Sequence, residues 1–141
     1  WIRKRKFGFS TLRFRTLPAY LGERLQATVQ TGVSVLNDPA KEFVVRLICA
    51  RRTTVLNAGS DERVTEKKLW SDEQKVFGEV SSIRPVFQVL VDFHIPDDLS
   101  PTELFPEDDR TLWRLEVAAK LKGVDYAAQF EVPVYRRPAG A

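Results

Sequence analysis

Methionine is absent from all 141 residues, position 1 included, and cysteine and histidine occur once each. A single cysteine excludes an intrachain disulfide and any zinc or iron–sulfur site built on several thiolates, and a single imidazole excludes every site that needs two. The 7 glycines stand apart from one another, so neither a phosphate-cradling loop nor a dinucleotide fingerprint is present. No apolar run approaches the ~18 residues that cross a bilayer as a helix. The missing initiator methionine leads us to expect further chain before Trp1.

What is present is the make-up of one globular domain: 43% hydrophobic and 29% charged residues, in a length that holds a core without disulfide or metal staples. The formal net charge is +3, from 22 Lys and Arg against 19 Asp and Glu, but four of the cations are consecutive: Arg3, Lys4, Arg5 and Lys6. Without those four, 18 basic side chains face 19 acidic ones and the body carries −1. A nucleic-acid footprint needs cations spread over one face, so nucleic acid is not an expected partner. Trp1 and Ile2 before the basic run have the make-up of a membrane helix leaving the bilayer, with tryptophan at headgroup level and Lys and Arg on the cytoplasmic side. A plain basic tail has the same composition. Both readings place residues 1–6 outside the core.

The rest of the chain alternates with period two. Leu25, Ala27 and Val29 interleave with Arg24, Gln26, Thr28 and Gln30; Phe87, Val89, Val91, Phe93 and Ile95 interleave with Gln88, Leu90, Asp92 and His94. Trp113, Leu115, Val117, Ala119 and Leu121 form a third such run and Tyr126, Ala128, Phe130, Val132 and Val134 a fourth, joined by a turn at 122–125 into an antiparallel hairpin with its aromatic-rich faces in the core. Leu12, Phe14 and Thr16 predict a strand, as do residues 43–51, with Phe43, Val45, Leu47 and Cys49 on one face. Residues 64–70 alternate less regularly but carry β-branched and aromatic ends. Loops are expected at 17–22, 37–41, 57–63, 71–82 and 96–110, and the best helical stretch, 100–104, is short and interrupted by Pro101 and Pro106. Seven strands predict an all-β, two-sheet antiparallel β-sandwich with Leu47, Phe93, Trp113, Leu115, Val117 and Phe130 in its core.

Particular stretches carry a resemblance. Val91-Asp92-Phe93-His94-Ile95-Pro96-Asp97-Asp98-Leu99-Ser100-Pro101-Thr102 resembles the arrestin-type pattern of a strand ending in Ile-Pro and running into a Leu-Pro-Ser-type loop, and Trp113-Arg114-Leu115-Glu116-Val117 resembles the strand that follows. Lys6-Phe7-Gly8-Phe9-Ser10 and Gly123-Val124-Asp125-Tyr126-Ala127-Ala128-Gln129-Phe130-Glu131-Val132-Pro133-Val134 resemble, across nearly the whole chain, an uncharacterised bacterial family of membrane-anchored domains of unknown function. The resemblance implies an arrestin-like or immunoglobulin-like sandwich preceded by hydrophobic helices and a basic stretch, and it implies no activity. It favours the juxtamembrane reading, with Trp1, Arg3, Lys4, Arg5 and Lys6 membrane-proximal against anionic lipid and, by the positive-inside bias, the domain on the cytoplasmic face. The expected organisation is a basic segment at 1–6, a sandwich at 7–137 and a tail at 138–141.

Candidate chemistry is sparse. Cys49 and His94 have the types of a nucleophile and its base, but Cys49 stands between Ile48 and Ala50 in an apolar strand, where cysteine is ordinarily a small buried hydrophobe. Asp92 and His94 share the outward face of one strand, with no serine placed beside them by local spacing. Asp97, Asp98, Glu103, Glu107, Asp108 and Asp109 make 96–110 oxygen-rich, without the spacing of a calcium loop. Arg46, Arg51 and Arg52 with Thr53 and Thr54 suit an acidic partner or a solvated strand end equally. No catalytic, cofactor-binding or metal-ligating residue is therefore assigned, and no cofactor is expected. The expected function is a noncatalytic protein-interaction module at a membrane; the alternatives are a structural envelope or scaffold component, or a hydrolase-type enzyme using His94 and the acidic loop.

Overall fold

The computed structural model describes residues 10–14, 19–36, 41–56, 59, 61–121 and 124–138. Within them the chain is all β: β1 (Thr11–Phe14), β2 (Ala19–Tyr20), β3 (Arg24–Ser34), β4 (Glu42–Leu56), β5 (Glu62–Phe77), β6 (Glu79–Val80), β7 (Val86–His94), β8 (Asp109–Leu121), β9 (Val124–Glu131) and β10 (Val134–Tyr135). One sheet has the order β1-β3-β7-β6 and the other β5-β4-β8-β9, antiparallel throughout. β2 and β10 add a two-residue parallel pair that the alternation did not announce.

The alternating apolar residues fill the space between the sheets. Leu25, Ala27, Val29, Phe87, Val89, Val91 and Phe93 come from the first sheet; Phe43, Val45, Leu47, Cys49, Trp113, Leu115 and Val117 come from the second. The Phe43 ring meets Phe87 edge-on across the gap at 5.7 Å, and Trp70 lies 5.8 Å from Trp113. Of the expected core, Leu47, Phe93, Trp113, Leu115 and Val117 are fully buried. Phe130 is a correction: it is half-buried and packs against the core from β9, which lies at a sheet edge. Trp113 Nε1 donates to the Ser100 carbonyl at 3.0 Å, and buried Thr31 donates from Oγ1 to the Phe87 carbonyl at 2.8 Å. These bonds remove the cost of burying a polar group in the sandwich.

Other expectations need correction. Residues 71–82 are not a loop: β5 runs on through Phe77, and Glu79 and Val80 pair with Gln88 and Phe87. Polar residues obscured this strand because nearly all of β5 is exposed on both faces. Residues 100–104 form no helix; Thr102 donates its backbone N–H to Val134 and Glu103 to Thr111, as extended chain does. Val124 and Asp125, expected in a turn, already pair with Leu121 and Lys120. Expectations for residues 1–9, Thr16, Pro18, 37–40, Lys122, Gly123 and 139–141 fall outside the described residues.

Strand direction gives the sandwich two ends. At the proximal end lie Ser10, the end of β3, the start of β4, the end of β5, the turn from β6 to β7 and the end of β8. At the distal end lie the β4–β5 connection, residues 95–108, β2 and β10. β4 has 15 residues and, at about 3.3 Å per residue, spans roughly 45 Å between them.

Candidate functional site

Cys49 is buried at the centre of β4, opposite Trp113 on one side and Trp70 on the other. Desolvation of the thiolate pushes its pKa up to about 11, the opposite of what a nucleophile requires. His94 ends β7 on the exposed outer face of the first sheet, so the structure does not bring it together with the thiol. Asp92 shares that face, and its carboxylate is occupied by neighbours on β3: Arg24 Nη1 donates to it at 2.9 Å and Gln26 Nε2 at 3.4 Å.

Two carboxylates of the acidic stretch, Glu103 and Asp109, are similarly committed. Arg51 Nη1 donates to Glu103 at 2.7 Å and Arg51 Nε to Asp109 at 2.8 Å. The Thr111 backbone N–H donates to Glu103 at 2.8 Å and holds its pKa low, while Arg51 does the same for Asp109. Among the described residues no three or more His, Cys, Asp or Glu side chains converge as metal ligands would.

The outer face of the second sheet carries a continuous charge network. Arg52 and Arg114 both donate to Glu66, at 2.7 and 3.2 Å on Oε2; Arg114 also reaches Glu116 at 3.1 Å, and Arg46 pairs with Glu73 and Glu116. Cross-strand register produces it, since Arg46 stands opposite Glu73 on β5 and Glu116 on β8. The acidic partners of Arg46, Arg51 and Arg52 are therefore the chain's own carboxylates. Below the charges, Ile48, Ala50 and Leu112 form a small second buried cluster.

The outer face of the first sheet is different. Two adjoining clefts of about 540 and 310 Å³ lie over β3, both lined by Arg13, Gln30 and Ile83. Thr28 and Gln88 contribute to one and Thr11, Arg84 and Val86 to the other. The lining contains no carboxylate, and among the described residues Arg13 and Arg84 make no ion pair. The result is a shallow groove of hydroxyls, amides and two unspent guanidiniums. Sequence reasoning missed it: Arg13 was legible as an outward residue between Leu12 and Phe14, whereas Ile83 and Arg84 reach the groove only through the β6–β7 turn. Trp1, Arg3, Lys4, Arg5 and Lys6, singled out as membrane-proximal, lie outside the described residues. Among those described, no helix is long and apolar enough to cross a membrane.

Fold and surface together define an all-β sandwich with one face closed by ion pairs and one open, cation-lined groove. No family model matches the sequence, and no curated protein matches it. Among solved structures the chain is similar to Spo0M, a sporulation control protein from Bacillus subtilis, with a TM-score of 0.52 and 15% identity over 91% of this chain and 49% of that one. The chain thus spans about half the length of Spo0M. The likeness supports the arrestin-like β-sandwich. Looser matches are a beta-glucosidase from Listeria innocua (TM-score 0.32, 17% identity, 90% of this chain and 16% of that one) and AggA, the major subunit of aggregative adherence fimbriae type I from Escherichia coli (TM-score 0.28, 14% identity, 95% and 99%). At such scores neither bears on the fold.

Proposed function

We propose that this domain is a noncatalytic protein-interaction module of a membrane-anchored bacterial protein, tethered through residues 1–6 on the cytoplasmic side, and that it receives its partner on the outer face of the first sheet. The observation that carries the reading is the groove over β3, where Arg13 and Arg84 make no ion pair among the described residues while Arg46, Arg52 and Arg114 on the opposite face are held by carboxylates. Unpaired donors over an open floor suit recognition, because a partner's acceptors meet groups that need not break an existing pair. The description of Spo0M as a control protein is in keeping with a noncatalytic role. A photo-crosslinking residue in place of Thr28, in the full-length protein in cells, is expected to yield a discrete protein adduct that disappears on Arg13→Ala with Arg84→Ala; the same probe in place of Glu73 is expected to yield none. No adduct at Thr28, or one indifferent to both arginines, would refute the groove. Membrane attachment is tested separately by fractionation: full-length protein in the soluble fraction would sink the anchor, and protease access from outside intact cells would sink only the sidedness.

A further inference from the structure

Four large apolar side chains are exposed at the proximal end: Leu36 by 80%, Phe77 by 63%, Val80 by 61% and Ile83 by 63%. Isolated exposed hydrophobics need no explanation, but these come from consecutive turns brought to one end by strand pairing. Phe77 stands opposite Glu42 at the start of β4, Val80 opposite Phe87 at the start of β7, and Leu36 follows Val35, whose N–H donates to the Pro85 carbonyl. Ile83 lies in the turn between Ser81 and Val86, which the Ser81 N–H closes at 2.8 Å. Cations accompany them: Lys41, Lys75, Arg84 and Lys120 belong to this end, against Glu42, Glu79 and Asp125. The described chain also begins here, at Ser10, and the nine residues before it hold four cations and no acid.

We infer that the proximal end is a docking face that rests on an anionic lipid surface. Apolar side chains at loop tips partition into the headgroup boundary to a depth of about 5–10 Å, and surrounding Lys and Arg hold the face against anionic lipid. The distal end also exposes apolar groups, Val55, Leu56, Val64, Leu104 and Phe105, but there Asp61, Glu62, Asp97, Asp98, Glu107 and Asp108 outnumber Arg63, Arg136 and Arg137. Charge therefore selects the end. With the proximal end down, the distal carboxylates stand roughly 30 Å or more away by strand length, several Debye lengths of about 8 Å, and meet no repulsion.

This inference goes beyond tethering by residues 1–6 but rests partly on it, and the experiment separates the two. The 141-residue chain is floated with vesicles of phosphatidylcholine alone and of phosphatidylcholine with phosphatidylserine. Binding is expected only to the mixed vesicles, weakening on the order of tenfold when Phe77→Ser and Ile83→Ser are combined with the basic run intact. A charge variant, Lys75→Glu with Arg84→Glu, is expected to weaken binding likewise, and Phe105→Ser at the distal end to leave it unchanged; thermal melts confirm that each variant is folded. Binding that ignores the proximal substitutions but is lost when Arg3, Lys4, Arg5 and Lys6 are all changed to Gln would overturn the docking face and leave the tether standing. No vesicle binding, with Leu36 and Phe77 shielded from labelling in cells, would assign the end to a protein partner and equally overturn it.

Discussion

A Cβ added at Gly78 would lie 2.7 Å from Cδ1 of Phe87 and 2.8 Å from Cε1 of Phe43, inside the distance real carbon atoms keep. Both rings are fully buried and pack against each other, so neither can swing aside. Gly78→Ala is expected to destabilise the fold by about 1–3 kcal/mol, read as a lower denaturation midpoint with unchanged slope; an unshifted midpoint would contradict the packing described. Nothing in the sequence distinguishes this glycine from the exposed Gly59, because the constraint comes from rings on two other strands. Cys49 is the opposite case, since its apolar neighbours already announced burial. With its pKa near 11, only about one thiol in ten thousand is ionised at neutral pH. Native labelling is expected to be slow and to become fast only on unfolding, and Cys49→Ser to leave partner binding intact; rapid labelling of the folded protein would refute this.

At the scale of the element, β5 explains why one strand was poorly legible. Cys49 stands opposite Trp70 and Ala50 opposite Lys68, leaving Leu69 as the extra residue of a β-bulge. Trp70 and Glu66 are four residues apart and in a regular strand would share a face. The bulge lets Trp70 turn inward to Trp113 while Glu66 turns outward to Arg52 and Arg114. Period-two reading fails across such a site, which is why residues 64–70 looked irregular and the strand was ended too early; β3 likewise was read only over 24–30, up to the register shift between Gln30 and Ser34, whereas β7 and β8 were legible over most of their length. Deleting Leu69 is expected to cost about 2 kcal/mol or more, through exposure of Trp70 or loss of the Glu66 pairs. A melt within a degree of the parent would rule the bulge out as a determinant. Glu66 also has a pH signature. Hydrogen bonding from Arg114, aided by Arg52, holds its pKa below the ordinary 4.5 against the opposing effect of burial. The stability it contributes is complete above that unfolded value and is lost as pH falls through the lower folded one. Glu66→Gln is therefore expected to be about 1 kcal/mol less stable at neutral pH and to show a shallower decline in that acid window; parallel profiles would exclude the linkage.

Across the whole molecule, the near balance of charge was countable from the sequence, but its arrangement was not. That the carboxylates of 96–110 and Ser10 belong to opposite ends follows only from pairing Thr11 with Gln30 and Arg24 with His94. The open groove and the closed ion-pair face were hidden for the same reason, since each is assembled across strands distant in the chain. Ser10 bonds to Tyr126 near the proximal end, whereas Arg137 pairs with Glu23 and lies over the Tyr20 ring at the distal one. The seven-residue stretch of β3 between those levels separates them by roughly 25 Å at strand rise. The sandwich is consequently a rigid spacer in series with the polypeptide: a module joined after Arg137 would be carried a fixed distance from one joined before Ser10, and its reach would be set by strand length.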